Sequence, residues 1–438
     1  MAQPYEDEDT SARWEPIPDE EWAMGEAVPE PASDTAAERA VDAWLEPSAT
    51  VVRQTPVSVA SDSGKVAVTA PGPRAVTATP PAAGGSSRPA PARPSRLPRE
   101  PRRRRGARHG CLSSLLWLVM LGVLALMALR CLPAELANGR LVPEAVSFVP
   151  WLFAPILLCL VLALFWRRWV LLVVTAGSLA VMLWWHAGYL LPRDGVSDAA
   201  VTVAQTAADP TDSVARVMTL NTAHGGASAE DVVSLVREKN VEVLCLQELT
   251  DDFLADLSAA GLYDLLPYYV ISDEASAISN GGRNGIWTLA PMGNISSNLL
   301  PIETSSMPAG TVDVGGLAVR VVSVHPNSPV RGAQDLWDEG LGVIGSLADY
   351  DHTYLVMGDF NSTWDHARFR ELLGSGFVDA GAEAGEGFHM TFPSGALPSV
   401  VEIDHIVYAR DSGITVSELE TAEVTGTDHR ALLGVLEV

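Results

Sequence analysis

The sequence predicts an α/β domain over residues 213–438, preceded by a helical segment embedded in a membrane. Two observations predict it. In the C-terminal half, short apolar runs typical of strands alternate with amphipathic helices, and about 225 residues of this pattern favour a two-layered β core flanked by helices. Between residues 109 and 192, three apolar stretches each approach the roughly 20 residues that a helix needs to cross a bilayer.

The individual elements of the α/β domain follow from apolar periodicity. Six strands are predicted, at residues 214–220, 243–247, 317–324, 354–357, 403–409 and 431–438. Helices are predicted at 229–239 and around 334–347. Ser228 is expected to cap the first of them, because Asp231 follows three residues later as in a capping box.

The region before the apolar stretches, residues 1–108, has two parts. Residues 1–87 are rich in Pro, Ala, Ser, Thr and acids, which predicts disorder, since such a chain cannot bury enough apolar area to offset its ordering entropy. Residues 88–108 contain nine arginines and one acid. That basic segment could bind nucleic acid, but the apolar stretch that follows it favours a cytoplasmic flank of a membrane helix.

The three apolar stretches, 112–129, 145–166 and 169–191, predict three transmembrane helices within residues 109–192. The basic flank places the N-terminus in the cytoplasm, and Arg167 and Arg168 form a cytoplasmic turn. Residues 193–212 are interpreted as a linker. The predicted location is therefore a multi-pass protein of the cell membrane, with residues 213–438 outside the cytoplasm.

Charge and cysteine content narrow the function. The net charge of −25 belongs to the C-terminal part, because residues 196–438 contain 10 basic and 35 acidic residues. An acidic surface repels a polyanion such as DNA, which disfavours a nuclease. The four cysteines form no disulfide pattern, and Cys245 lies in an apolar run that predicts burial. The compartment is therefore not decided by cysteine usage.

Six polar clusters stand at the ends of predicted strands. They are Asn221, Gln247-Glu248, His325-Pro326, Gly358 to Asn361, Asp404-His405 and Asp428-His429. Hydrolysis of a phosphate ester needs a metal ion, a group that orients or deprotonates water, and donors for the phosphoryl oxygens. These residue types, in this order, fit a metal-dependent phosphoesterase.

The metal-ligand candidates are oxygen donors, as Mg²⁺ prefers. Glu248, at the end of a buried strand, is the best candidate. Asn221 offers an amide oxygen beside it, and Asp428 offers a second carboxylate.

The catalytic candidates are Asp359, Asn361, His325, Asp404 and His429. Asp359 and Asn361 can point the same way from a strand end, the first to hold or deprotonate water and the second to orient it. Both histidines can donate to phosphoryl oxygens, and His429 has the alternative role of general base. Asp404 would then fix the tautomer of His429 and raise its basicity.

Each cluster alone has a structural explanation. Gly358 to Asn361 fits a turn, since Gly, Asp and Asn favour turns, and His325 before a proline fits a loop. Their joint occurrence in one order is what indicates catalysis.

The joint pattern resembles the endonuclease/exonuclease/phosphatase family. The resemblance covers roughly residues 213–438 and implies a four-layered α/β sandwich with Mg²⁺ or Mn²⁺ as cofactor. It makes Glu248 the principal metal ligand. It implies that four further residues bind and activate water and bind the phosphate group: Asp359, Asn361, Asp404 and His429.

The sequence departs from the family pattern at two places. Thr427 stands where a serine is usual before Asp-His. The Leu-Ser-Arg-x-Pro stretch is replaced over residues 284–292, where Thr288 stands for the serine and no arginine follows. Arg283 or Arg331 is then the alternative cation for substrate contact.

The three predicted helices followed by such a domain also resemble the VanJ-like branch of the family, membrane proteins associated with envelope lipid intermediates. This predicts a membrane-anchored phosphoesterase that acts on a lipid-linked phosphate mono- or diester or pyrophosphate, with the bilayer as partner. An extracellular Mg²⁺-dependent nuclease is the first alternative. An inactive membrane-anchored sensor or scaffold is the second.

Overall fold

The computed structural model describes residues 110–139, 141–193, 195–273, 282–395 and 398–438. The predictions for residues 1–87 and 88–108 lie outside these ranges. Before the α/β domain lie seven helices: α1 Gly110–Arg130, α2 Ala134–Ala137, α3 Val142–Val146, α4 Phe153–Phe165, α5 Trp169–Trp185, α6 Ala187–Leu190 and α7 Asp198–Thr206. A 3₁₀ turn, Val149–Leu152, precedes α4.

The α/β domain contributes six further α-helices and twelve strands to the described residues. The helices are α8 Ala229–Glu238, α9 Asp251–Ala259, α10 Leu262–Leu265, α11 Gln334–Gly345, α12 Ala367–Gly374 and α13 Ala380–Ala384, with a 3₁₀ turn at Ser346–Asp349. The strands are β1 Val214–Asn221, β2 Val243–Leu249, β3 Tyr268–Ile271, β4 Arg283–Thr288, β5 Gly293–Ser296, β6 Ala309–Val314, β7 Leu317–Val324, β8 Thr353–Asp359, β9 Phe377–Asp379, β10 Asp404–Ala409, β11 Thr415–Glu423 and β12 Arg430–Glu437.

The strands form two six-stranded mixed sheets. Their orders are β11-β12-β1-β2-β4-β3 and β5-β6-β7-β8-β10-β9. In each sheet the two central strands are parallel, β1 with β2 and β7 with β8, and the pairs around them are antiparallel. The two sheets therefore have the same central arrangement.

The two sheets pack face to face, with helices on both outer faces. Val217 and Ile286 of the first sheet share a buried cluster with Val321 and Leu355 of the second. A second cluster joins the first sheet to α8, α9 and α10, and a third joins the second sheet to α11 and α12. This helix–sheet–sheet–helix order confirms the predicted α/β core of two packed sheets flanked by helices.

The predicted strands agree with the observed ones to within two residues, and Ser228 caps α8 by accepting a hydrogen bond from the Asp231 amide at 3.1 Å. Cys245 is buried, as expected. The segment 193–212, interpreted as a linker, differs from that interpretation. It contains α7, whose Ala200 and Ala204 are one helical turn apart and pack against Val435.

Among the described residues, one helix is long and apolar enough to cross a membrane, Cys111–Arg130 with 20 residues. The other two predicted spans are shorter, Val149–Phe165 and Trp169–Trp185. Seventeen residues make a helix of about 25 Å, less than the roughly 30 Å of a hydrocarbon core. The second stretch is shortened because its first residues belong to α3 and to the 3₁₀ turn at Pro150. The prediction of three full-length transmembrane helices is therefore not supported.

The end of α1, the 3₁₀ turn before α4 and the segment after α5 lie against the α/β domain. Helix α6 packs so closely on α13 that a Cβ at Gly188 would lie 2.5 Å from the Ala382 carbonyl oxygen. Beside this contact, the Tyr189 hydroxyl donates a hydrogen bond of 2.6 Å to Asp379. The Trp151 indole N–H donates to the Val400 carbonyl at 2.7 Å. The helical segment and the α/β domain are thus packed together through polar and van der Waals contacts.

Because Gly358 has no side chain, β7 and β8 can approach each other closely just before the site residues His325 and Asp359. Its φ is +155°, and a Cβ there would lie 1.9 Å from the Val324 carbonyl oxygen. Only glycine fits at this position, because the clash is with backbone that is held in a parallel ladder.

We predict that Gly358→Ala destabilises the protein by at least about 3 kcal/mol, because backbone strain and a backbone clash add. Gly342→Ala is the matched control. Gly342 lies within α11, where a Cβ would meet nothing within 4 Å, so this change should be neutral or stabilising by about 0.5–1 kcal/mol. Thermal denaturation of the full chain in detergent measures both. Equal melting temperatures for the two variants would contradict the prediction.

Candidate active site

The predicted site residues meet at one edge of the two packed sheets. Asn221 ends β1 and Glu248 is the penultimate residue of β2, while Asp359 ends β8 and His325 directly follows β7. Parallel strands present their carboxyl ends at the same edge, which explains why residues far apart in sequence converge. Asp404 begins β10, antiparallel to β8, so that it lies opposite Asp359 in register.

Glu248 reaches the site through an irregularity in its strand. The register between β2 and β4 shifts between Leu246 and Leu249, and Glu248 has a φ of +60°. A bulge with a non-glycine residue in the left-handed region costs free energy and re-aims a side chain. Here it directs the carboxylate to the sheet edge, where the amide of His224 donates to it at 2.8 Å.

Asn221 joins two of the carboxylates. Its Nδ2 donates to Glu248 Oε1 at 3.0 Å and to Asp359 Oδ2 at 3.1 Å, while its Oδ1 accepts from the Ala223 amide at 2.9 Å. The amide group therefore fixes both carboxylates at once. As a metal ligand, Asn221 would have to turn Oδ1 toward the carboxylates, where Nδ2 lies in this structure. That role stays a prediction.

Asp359 is buried at the centre of the site. Its Oδ1 accepts from the Asn361 amide at 2.7 Å, and its Oδ2 is directed toward Asn221, His325 and His429. Burial raises the pKa of Asp359 above its usual value, and the charge of Asp404 adds to this, although the two histidines oppose it. Asn361, with a φ of +48°, donates through Nδ2 to the Pro326 carbonyl at 3.1 Å rather than toward the carboxylates.

His429 and Asp404 form a buried pair. The Nδ1–Oδ2 distance is 2.8 Å, as predicted for a carboxylate that fixes an imidazole tautomer. Burial lowers the pKa of His429, but the charges of Asp404 and Asp359 outweigh it and raise that pKa to about 10. The Nε2 of His429 faces Asp359 Oδ2 at 3.7 Å, which is beyond a direct hydrogen bond.

His325 lies on the other side of Asp359. Its Nε2 is 3.5 Å from Asp359 Oδ2 and 3.7 Å from Glu248 Oε1. The two imidazoles therefore flank one carboxylate oxygen. This places two N–H groups around the point where a phosphoryl group would approach.

Asp428 is exposed, unlike the other predicted metal ligands, and its charge adds to the raised pKa of His429. Its neighbour Thr427 is buried and connects the end of β1 to the residue that precedes β12. The Thr427 hydroxyl donates to the Asn221 carbonyl at 2.7 Å and accepts from the His429 amide at 3.1 Å. The departure from serine thus keeps both hydrogen bonds.

The donor set fits a hard divalent cation. Glu248 and Asp359 present oxygens to one space beside Asn221, and the Oδ1 of Asp404 is buried without a hydrogen-bond partner among the described residues. Atoms of Asp359, Asp404 and His429 also lie within 4.8 Å of one another. Carboxylate and amide oxygens are the ligands that Mg²⁺ and Mn²⁺ prefer.

The structure adds two residues that sequence reasoning missed. The Phe392 ring lies 5.0 Å from the His429 ring, and the Thr391 hydroxyl accepts from the Asp404 amide at 3.3 Å. Both stand in an irregular stretch without apolar periodicity, so the sequence did not predict that they lie beside the site. The one available signal was their position shortly before Asp404.

Thr288, considered in place of the serine, and Arg283 and Arg331, considered in place of the missing cation, lie at different places. Thr288 pairs with Val243, at the start of β2 and away from Glu248. Arg283 pairs with Leu249 in the ladder and forms an ion pair with Asp251. Arg331 is exposed, six residues beyond His325. Arg283 is thus the closest of the three to Glu248 in the sheet.

Comparison with known proteins supports what the geometry indicates. Residues 218–429 match the model of the Endonuclease/Exonuclease/phosphatase family. These residues form a domain of that family. The match runs from within β1 to His429 and encloses every predicted site residue. Members hydrolyse phosphoesters, generally with divalent metal ions, and the protein is an enzyme of this class.

Solved structures of similar fold include a humanised TDP2 from D. rerio, at 15% identity over 52% of this chain and 100% of that one, with a TM-score of 0.43. A family protein from Leptotrichia buccalis is 16% identical over 51% and 100%, with a TM-score of 0.41. Sphingomyelinase C from Streptomyces griseocarneus is 17% identical over 51% and 99%, with a TM-score of 0.37. No curated protein matches the chain in sequence. Such distant likenesses do not identify a substrate.

We predict that Thr427→Ser keeps turnover within about twofold, because serine retains both hydrogen bonds of the hydroxyl. Thr427→Ala should lower kcat about 10-fold or more, since losing buried hydrogen bonds costs about 1–3 kcal/mol and releases His429 from Asn221. Steady-state turnover of a chromogenic phosphoester by the full chain distinguishes the two variants. Equal losses would show that the hydroxyl has no role in holding the site.

Proposed function

We propose that the protein is a membrane-anchored, divalent-metal-dependent phosphoesterase that hydrolyses a lipid-linked phosphate ester or pyrophosphate. The observation that carries the hydrolytic part is the convergence of Glu248, Asp359 and the Asp404–His429 pair at one sheet edge. Three carboxylates and an imidazole in one space are groups that metal-assisted hydrolysis of a phosphoester uses.

The residues divide into a group that handles water and a group that handles the phosphoryl oxygens. Asp359 holds the attacking water at Oδ2 and takes its proton, which its raised pKa favours. His429 Nε2 donates to a phosphoryl oxygen, and Asp404 holds the ring in place through Nδ1. His325 supplies a second donor from the opposite side of Asp359. General base action by His429 remains the alternative role.

The metal ion would be held by Glu248, with Asp428 and Asn221 as the further predicted ligands. When bound, a divalent cation neutralises charge on the phosphoryl group and lowers the pKa of its bound water. As a ligand, Asn221 would turn Oδ1 toward Glu248 and give up its hydrogen bond to Ala223. The position of Glu248, only partly buried, leaves that carboxylate accessible to a cation.

The proposed anchor is the bundle of α1, α4 and α5, in which α1 crosses the membrane from a cytoplasmic N-terminus and the two shorter helices pack beside it. The helices share a buried cluster, while many of their outward side chains are large, apolar and exposed. Soluble proteins rarely expose apolar patches of that size. The exposed residues include Leu118, Leu158, Leu164, Val170 and Val173.

Two features favour a lipid-linked substrate over nucleic acid. The segments that leave the site, after Asn361 and around Phe392, are those that contact the helix ends, which keeps the site close to the bilayer surface. The acidic composition of residues 196–438 opposes binding of a DNA backbone, which requires clustered cations.

The substrate test uses the full chain in detergent with Mg²⁺. We expect phosphate release from undecaprenyl pyrophosphate and no nicking of plasmid DNA. Glu248→Gln, which keeps the side-chain volume and removes the charge, should weaken Mn²⁺ binding at least about 10-fold and lower turnover by about 100-fold or more. DNA nicking that disappears in Glu248→Gln, without lipid turnover, would instead establish a surface nuclease.

The orientation test uses two native cysteines. Cys111 and Cys131 are exposed and lie at opposite ends of α1, whereas Cys159 and Cys245 are buried. In intact cells stripped of their wall, we expect a membrane-impermeant maleimide to label Cys131 and not Cys111. Labelling should disappear in Cys131→Ser and persist in Cys111→Ser. The reverse pattern would place the α/β domain in the cytoplasm.

A further inference from the structure

A buried junction connects the helical segment to the loop that carries the catalytic carboxylate. Here we call residues 359–366, from Asp359 to His366, the catalytic loop. Asp365 is fully buried and its carboxylate has two partners: the guanidinium of Arg130 pairs with Oδ1, and Nε2 of His186 lies 3.1 Å from Oδ2. Arg130 ends α1 and His186 follows α5, so both partners come from the ends of the proposed membrane helices.

The contacts at this junction stabilise the ionised form of Asp365. Burial raises the pKa of this carboxyl, but the hydrogen bond and charge of His186 and the charge of Arg130 outweigh burial and lower it. Arg130 is itself held over the Trp185 ring, 4.2 Å from its centroid. A buried charge without such partners is strongly destabilising, so the loop is stable in this conformation only while the helix ends are in place.

Neighbouring contacts fix the rest of the loop to the same helices. The Trp364 indole N–H donates to the Trp185 carbonyl at 3.1 Å. His366 accepts from the Thr363 amide at Nδ1, at 2.8 Å, and therefore donates from Nε2 to the Pro143 carbonyl at 3.0 Å. Burial lowers the pKa of His366 to about 4, which keeps the imidazole neutral for this purpose.

A second buried path reaches the loop from α6. The Tyr189 hydroxyl donates to Asp379 at 2.6 Å, Asp379 accepts from His405 Nδ1 at 3.0 Å, and His405 Nε2 lies 2.8 Å from the Ser362 carbonyl. Ser362 directly follows Asn361, and His405 directly follows Asp404. The first path therefore ends within the catalytic loop, and the second ends next to two catalytic residues.

We propose that Arg130, His186 and Asp365 are positioning residues, through which the membrane helices hold the catalytic loop in its active conformation. The α/β domain alone would then fold with a loop that has lost its partners, and it would turn over poorly. The proposal rests on the hydrolase assignment of the site and not on the lipid nature of the substrate.

The test compares full-length variants in detergent with a small, water-soluble p-nitrophenyl phosphoester, so that access to a bilayer does not limit the rate. We expect Arg130→Met to lower kcat about 10- to 100-fold, since misplacement of catalytic groups by about 1 Å has effects of this size. KM should change less than about threefold, because substrate contacts are retained. Arg130→Lys, which keeps the charge, should recover part of the loss.

Arg193→Ala is the matched control. The Arg193–Glu383 ion pair of 3.0 Å also joins the end of the helical segment to the α/β domain, but it is half exposed and lies away from the catalytic loop. We expect wild-type kcat for this variant. Tyr189→Phe tests the second path with little risk to folding, because it removes only the hydroxyl, and we expect a loss of several-fold.

Amide hydrogen exchange of the same variants provides a readout that does not depend on turnover. In Arg130→Met we expect exchange of residues 359–366 to accelerate several-fold while that of β12 stays unchanged. Wild-type exchange in this loop together with wild-type kcat would overturn the proposal. An inactive wild type would count against the hydrolase assignment alone, since loop exchange would still decide this inference.

Discussion

Two buried carboxylates opposite each other in one sheet are the constraint around which the site is arranged. Asp359 and Asp404 are paired in register between β8 and β10, and both are almost completely inaccessible to solvent. Two such charges at close range repel and lose their hydration, so the site must compensate both effects. His429 does so for both residues, while Asn221 and the Asn361 amide hold Asp359 from the other side.

Buried carboxylates outside the site also need basic partners. His405 follows Asp404 and forms a buried pair with Asp379, and these interactions raise the pKa of His405 to about 9 although burial opposes protonation. Asp365 lies within the catalytic loop and depends on Arg130. Each of these buried aspartates thus has a basic partner on another element, and for Asp365 that element is α1. Electrostatic compensation therefore joins the α/β domain to the helical segment that precedes it.

The sequence predicted the central strands and the six polar clusters, because strand periodicity and residue type are local properties. It did not predict the junction at Asp365, whose partner Arg130 is 235 residues away. The hydrogen bonds by which the Asn221 amide group bridges two carboxylates were not predicted either. Side-chain direction and long-range pairing depend on tertiary packing, which the local patterns of a single sequence do not predict.

Helix α7 has a consequence for how the enzyme encounters its substrate. Because Ala200 and Ala204 pack on the edge of the α/β domain, residues 193–212 do not act as a long flexible tether. A fully extended segment of that length would reach about 65 Å, but an ordered one keeps the domain beside its helices. For the bilayer-embedded enzyme that we propose, the search for a lipid substrate would then be two-dimensional. Its rate would follow the surface density of the lipid in the membrane and not the bulk concentration, so dilution with inert lipid would slow it.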